Sequence, residues 1–386
     1  MKIELADRIK HLPPYLFAEI DRLKQEQIRR GVDTIDLGVG DPDQPTPDHI
    51  IKALCEAVKN PRHHRYPSYV GLLGFREAAA QWMKRRYNVS INPATEVVSL
   101  IGSKEGIANL PYAFINPGDV VLIPSPGYPP YTSGTLFTGG KPYCLPLKRE
   151  NSFLPDLKAI PKDILKRAKL IHVNYPNNPT SKVAPRSFYE EVVRFGHKNN
   201  IIVSSDIAYG EIYYGPERPL SLLEIDGAKD VAIEFHSLSK TFNMTGWRIG
   251  FAVGQADIIA GLGKIKTNID SGIFESVQMA GIAALQKPAW TDLMRKVYQE
   301  RHTCLTTGLK KIGFDIACAE ASFYVWMAVP RGLTSATFAM KLLKEKGIIV
   351  TPGNGFGEYG EGYVRFALTQ EVKRLEEALS RLKGIL

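Results

Sequence analysis

The densest chemistry in this chain lies in Ser237-Leu-Ser-Lys-Thr-Phe-Asn-Met-Thr-Gly-Trp-Arg248, just past the apolar run Val231–Phe235. A lysine amine attacks a carbonyl only when neutral, so burial or nearby cations must lower its pKa. Arg248 supplies such a cation beside Lys240, and its planar fork suits a phosphate, to which Ser237 adds a hydroxyl. Taken alone, a lysine is far more often a solvated surface charge, and it is the neighbours of Lys240 that point to chemistry.

Lys240 has company at the ends of other apolar runs. Asp206 closes Ile201–Ser205, with Tyr209 three residues on; Asn174 and Asn178 follow Leu170–Val173. Gly102-Ser103-Lys104 follows Glu96–Ile101 and opens a helix, whose free N–H groups make an anion site. In an open parallel sheet, ligands gather at the carboxyl ends of the strands, so these groups should converge on one crevice. Arg365 interrupts the apolar run Tyr363–Leu368. A buried arginine is costly unless paired, so it meets either an internal acceptor or a ligand.

The elements that must position these groups follow from the pattern. Short β-rich apolar runs at 96–101, 119–123, 170–174, 201–205, 231–235 and 249–253 alternate with helix-period segments such as 185–199 and 257–266. That pattern predicts an α/β fold with a mostly parallel sheet flanked by helices. From about residue 288 a long amphipathic helix to about Lys311, strands at 323–329, 348–351 and 363–368, and helices at 334–346 and from 370 predict a smaller α+β domain. The expected division is 1–45 as an N-terminal arm and part of the small domain, 46–287 as the large domain, and 288–386 as the small domain. The apolar cluster Leu12–Phe17 must dock against something, with a second subunit as one candidate.

Composition narrows the classes further. A chain of 386 residues with 44% apolar and 23% charged content is ordinary globular usage. No run reaches the roughly 18 apolar residues of a membrane span, and the start of the chain lacks a signal-like segment, so a cytoplasmic protein is expected. The net charge of +9 is scattered rather than striped and no nucleic-acid motif accompanies it. Cys55, Cys144, Cys304 and Cys318 form no CxxC pair and are expected to be buried thiols. His63 and His64 are adjacent, do not face together and lack a third ligand, so they are expected to be solvated loop residues and no metal site is expected. Gly353–Gly357 lacks the helix that would follow a dinucleotide fingerprint and is expected to be a loop near the domain interface.

Ser237-x-Ser-Lys240 with Arg248 resembles the pyridoxal-phosphate attachment site of class I/II aminotransferases of fold type I, and the resemblance spans nearly the whole chain. It implies pyridoxal 5′-phosphate attached to Lys240, with Ser103, Lys104, Ser237, Ser239 and Arg248 around it. Asp206 would meet the pyridine nitrogen, Tyr209 and Asn178 the phenolic oxygen, and Tyr128 the ring face. Asn174–Thr180 is similar to the family's Asn-Pro-Thr-Gly signature, with Ser181 where glycine is usual. The resemblance further implies that Arg365 binds the substrate α-carboxylate, with Gly38 and Gly40 close by, and that Tyr66 reaches the phosphate of a neighbouring subunit in a homodimer.

Leu5–Ile20 and Gly38–Asp43 are similar to the LL-diaminopimelate branch of that family, which implies tetrahydrodipicolinate and glutamate as substrates on the route to lysine. Tyr15, Gly40, Lys104 and Asn178 are then candidate substrate contacts. Aspartate, alanine or aromatic transamination, a β-lyase, and a regulatory binding module remain alternatives at this stage.

Overall fold

The computed structural model describes residues 3–10, 12, 22, 24–27 and 29–385, so of the apolar cluster at 12–17 only Leu12 is among the described residues. The chain first enters a sheet at β1 (Ile35–Asp36). It then lays down β2 (Val97–Leu100), β3 (Val120–Ser125), β4 (Lys141–Pro146), β5 (Ala168–Asn174), β6 (Ile202–Asp206), β7 (Ala232–Ser237) and β8 (Gly250–Gly254). These last seven form one sheet in the order β2-β8-β7-β6-β5-β3-β4. β8 runs antiparallel to both neighbours and the remaining pairs are parallel.

The strands legible as apolar runs are those buried on both faces: every residue of β2, β3, β7 and β8 is buried. Helices cover the sheet by burying one stripe each. Arg186–Asn199, for example, turns Phe188, Tyr189, Val192 and Val193 inward and leaves most of its charges outside. β4 was not expected from the sequence. It is an edge strand, exposed at Lys141 and Cys144 and carrying Pro142 and Pro146, which an edge position tolerates, so it shows no apolar run.

A second sheet, antiparallel and ordered β12-β13-β10-β9, comprises β9 (Ile316–Cys318), β10 (Tyr324–Ala328), β12 (Thr351–Pro352) and β13 (Tyr363–Ala367). The run at 348–351 divides: β11 (Ile348–Ile349) leaves that sheet and pairs in parallel with β1. The helices Ala289–Ile312, Ser335–Lys346 and Val372–Leu382 surround this sheet with their own apolar core, which includes Leu305, Leu342 and Leu375.

Two sequence expectations need correction. Only Cys318 of the four cysteines is buried; Cys55 and Cys144 are exposed and Cys304 is intermediate. Cys55 lies on the outer side of the helix Asp48–Ala57, where composition alone gives no orientation. His63 and His64 sit in a short 3-10 turn rather than a loop, and their rings meet the carbonyls of Ala57 and Val58, each at 2.8 Å. Among the described residues no helix is long and apolar enough to cross a membrane.

Candidate active site

The carboxyl ends of β5, β6 and β7 open into a cavity of about 250 Å³. β7 ends at Ser237, whose Oγ accepts from Ser239 N at 3.2 Å and caps the single helical turn Leu238–Thr241. That cap explains the spacing of the motif, because one turn carries Lys240 from the strand end into the cavity. Its amine donates to Gly40 O at 2.8 Å and lies over the Phe323 ring. Burial pulls the Lys240 pKa down to about 8, with Arg248 and Arg365 acting in the same direction and Asp41 opposing.

Arg248 stands beyond the 3-10 turn Thr245–Trp247 and donates to Thr245 O at 2.8 Å. Its guanidinium lies against Gly102, where an added Cβ would fall 2.3 Å from Nη2. Gly102 also has φ of +74°, so both backbone conformation and space require glycine there. The helix Ser103–Phe114 starts at this point. Ser103, Lys104 and Arg248 therefore surround one corner of the cavity, and a helix N-terminus with two cations nearby attracts an anion.

Asp206 lies buried at the end of β6. Its Oδ2 accepts from the Tyr131 hydroxyl at 2.8 Å and its Oδ1 from Ala208 N at 3.2 Å. Burial pushes its pKa up to about 6, while the Tyr131 hydrogen bond, that from Ala208 and the nearby His236 act the other way. Tyr131 in turn stacks on His172, which burial drives down to about 3 and so keeps neutral.

The substrate-facing end comes from both sheets. Asn174 Oδ1 accepts from Asn178 N at 2.8 Å and fixes the loop after β5. Arg365, on β13, is 2% exposed and donates to Asn178 Oδ1 and to Gly38 O, each at 2.7 Å. These acceptors are uncharged, and the guanidinium lies over the Tyr324 ring, 4.0 Å from its centre. Ser181, where glycine is usual, does adopt positive φ, at +65°. Its hydroxyl donates to Ala321 O, and Ala321 N donates to Ser181 O at 3.1 Å, so the loop is tied to the chain entering β10.

Gly40, Ser103, Lys104, Tyr128, Asn178, Asp206, Tyr209, Ser237, Ser239, Lys240, Arg248 and Arg365 all line this one cavity. Tyr66 does not; it is 88% exposed. Tyr15 lies outside the described residues. Sequence reasoning missed Tyr131, Tyr324 and Thr245. Tyr131 had a signal, three residues after Tyr128 at the start of a helix; Tyr324 had none, being hidden in an apolar strand.

The model of the family described as "Aminotransferase class I and II" matches residues 32–382. The chain belongs to this family. Among its aminotransferase relatives, a protein of Aquifex aeolicus (strain VF5) named LL-diaminopimelate aminotransferase is 58% identical over 383 residues, 99% of each chain. One of the same name from Maridesulfovibrio salexigens is 57% identical over 386 residues, 100% of both chains. A substrate-bound BacF structure from Bacillus subtilis superposes with a TM-score of 0.95 at 39% identity, covering 100% of this chain and 98% of that one. The structure of a probable N-succinyldiaminopimelate aminotransferase from Thermus thermophilus gives 0.91 at 34% identity, over 96% of this chain and 100% of that one. Both solved structures thus share the overall fold of this chain.

Proposed function

We propose that this aminotransferase uses pyridoxal 5′-phosphate to exchange an amino group between glutamate/2-oxoglutarate and tetrahydrodipicolinate/LL-diaminopimelate, a step toward lysine. The observation that carries the cofactor reading is Lys240, a buried amine with a lowered pKa between an anion corner and a buried carboxylate. The substrate reading is supported by the names of the relatives that match the full chain at 58% and 57% identity.

The donors fit the cofactor. The corner that Gly102 leaves open beside Arg248 suits its phosphate, with Ser103, Lys104, Ser237 and Ser239 as further donors. Asp206 would face the pyridine nitrogen, Tyr209 and Asn178 the phenolic oxygen, and Tyr128 a ring face. When bound, the cofactor supplies an electron sink for the charge left at the substrate Cα.

The chain's own residues do the rest. Lys240 would hold the cofactor through Nζ, and the same amine, when free, is placed to take the substrate Cα proton onto Nζ. An ordinary lysine would hold its own proton too tightly; burial near Arg248 makes Nζ a usable base close to neutral pH. Asp206 holds a proton at the ring nitrogen, and a cation placed there favours its ionised form against the burial that opposes it. Arg365 presents a planar fork for the α-carboxylate, in competition with the Gly38 carbonyl. Gly40, Lys104, Asn178 and Tyr15 are the proposed contacts for the rest of the substrate.

This reading assigns 46–287 to cofactor binding, and 1–45 with 288–386 to the part that meets the substrate carboxylate. The β1–β11 pairing, which joins residues 35–36 to 348–349, supports that grouping. We further propose a homodimer. Tyr66, Tyr69, Leu73, Ile269 and Phe274 are exposed, and Gly272 touches Ser68 and Pro67, bringing the two segments that carry them together. A second copy would cover this apolar surface and receive Tyr66 at its phosphate corner.

Borohydride reduction of the protein with bound cofactor, followed by peptide mass mapping, tests the attachment: the tag should fall on the peptide containing Lys240. An amino-donor panel with LL- and meso-diaminopimelate tests the substrate. Turnover confined to aspartate, alanine or aromatic donors would overturn that part alone.

A further inference from the structure

Tyr324 has no part in the roles assigned above, yet it touches Arg365, Tyr209 and Gly40 at once. It opens β10, and the antiparallel register places Trp326 opposite Arg365, so Tyr324 lies on the same face two residues away. Its ring therefore covers the Arg365 guanidinium, at 4.0 Å. Its hydroxyl reaches the Tyr209 hydroxyl at 3.1 Å and also closes on Gly40, where an added Cβ would lie 1.9 Å from Oη.

A hydroxyl has a single proton to give. If Tyr209 donates its proton to a ligand oxygen, its own oxygen is left as an acceptor, and Tyr324 is placed to donate to it. Hydrogen bonds in such a chain reinforce one another. A guanidinium on the ring face draws electron density from the ring, which polarises the O–H and makes Tyr324 the stronger donor. A carboxylate arriving at Arg365 offsets that charge and weakens the donation.

We infer that Tyr324 is a positioning residue of the transamination, its hydroxyl setting the hydrogen bond of Tyr209 and its ring conveying to Tyr209 whether Arg365 holds a carboxylate. This rests on the assignment of Tyr209 and Arg365 in the proposed function.

The test uses the cofactor-reconstituted protein and follows its visible absorbance with pH, alone and with glutarate, a dicarboxylate that has no amine to react. Tyr324→Phe keeps the ring over Arg365 and removes only Oη. Weaker donation by Tyr209 leaves more negative charge on the ligand's phenolic oxygen and holds the titrating proton more tightly. The midpoint should therefore rise by about half a pH unit, the size of one modest neutral hydrogen bond. The shift that glutarate produces should shrink to less than half its wild-type size. In a Tyr209→Phe background, Tyr324→Phe should add nothing, which distinguishes coupling from a general packing defect. An unchanged midpoint with an unchanged glutarate response would overturn the inference, as would full additivity of the two variants. If the wild-type protein gains no visible band with pyridoxal 5′-phosphate, the cofactor assignment itself fails and takes this inference with it.

Discussion

The Tyr131 hydroxyl donates to Asp206 Oδ2 at 2.8 Å, and both residues are buried. This contact offsets part of the penalty that burial imposes on the ionised carboxylate. The sign of the pH effect follows. Asp206 holds its proton up to about pH 6 in the folded chain but only to about 3.8 when unfolded. Between those values the unfolded chain binds fewer protons, so stability falls as pH rises. In the cofactor-free protein the loss attributable to Asp206 is about 3 kcal/mol across that window. His172, held neutral by burial, contributes the opposite slope over much of the same range, so the Asp206 contribution is read as a difference: urea unfolding at a series of pH values should show the stability of the wild type falling relative to Asp206→Asn as pH rises through that window. Tyr131→Phe removes a donor to the ionised form, so the slope should extend to higher pH.

Lys240 works in the opposite sense. Its folded pKa of about 8 lies below the 10.5 of an ordinary lysine, so the unfolded chain binds more protons between these values and stability grows with pH. Below pH 8 the buried cation carries its full penalty, about 3 kcal/mol. Lys240→Met should therefore abolish transamination while raising the stability of the cofactor-free protein at pH 7, by an amount up to that figure. A variant that is inactive and also less stable would contradict the burial argument.

At the anion corner, Gly102→Ala puts a Cβ where Arg248 Nη2 now lies and forces alanine to φ near +74°. With ψ of 153° this conformation is open to glycine alone, and the backbone strain is about 1–3 kcal/mol. Displacement of the guanidinium should lower the affinity for pyridoxal 5′-phosphate by at least roughly tenfold, equal to about 1.4 kcal/mol. Titration of the cofactor-free protein with the cofactor reads this directly.

Ser181 allows two contributions to be separated. Glycine at this position relieves positive-φ strain but loses the hydroxyl bond to Ala321 O; alanine loses the bond and keeps the strain. Ser181→Gly should lie within about 1 kcal/mol of wild type, because strain and a neutral hydrogen bond are of similar size. Ser181→Ala should be destabilised by about 1–2 kcal/mol. Thermal unfolding of the two variants side by side checks the order.

Much of this arrangement can be read from the sequence, for a physical reason. β5 to β8 are covered on both faces, so they appear as apolar runs whose ends can be located, and the groups at those ends fall into the cavity together. β4 escapes because an exposed edge needs no apolar residues. Tyr324 and Tyr131 escape because their partners are set by how elements approach each other, which periodicity does not encode. Arg365 is the intermediate case. Its charge within an apolar strand marks it as special, but nothing local says that its acceptors are Asn178 and Gly38.

The contact between Arg365 and Gly38 spans 327 positions of the chain. During synthesis the lysine end of the site can take shape only once β8, which lies between β2 and β7, has emerged, whereas the arginine end must wait for residue 365. A translation product halted between those points would have the means to hold the cofactor but not the fork that grips an amino acid.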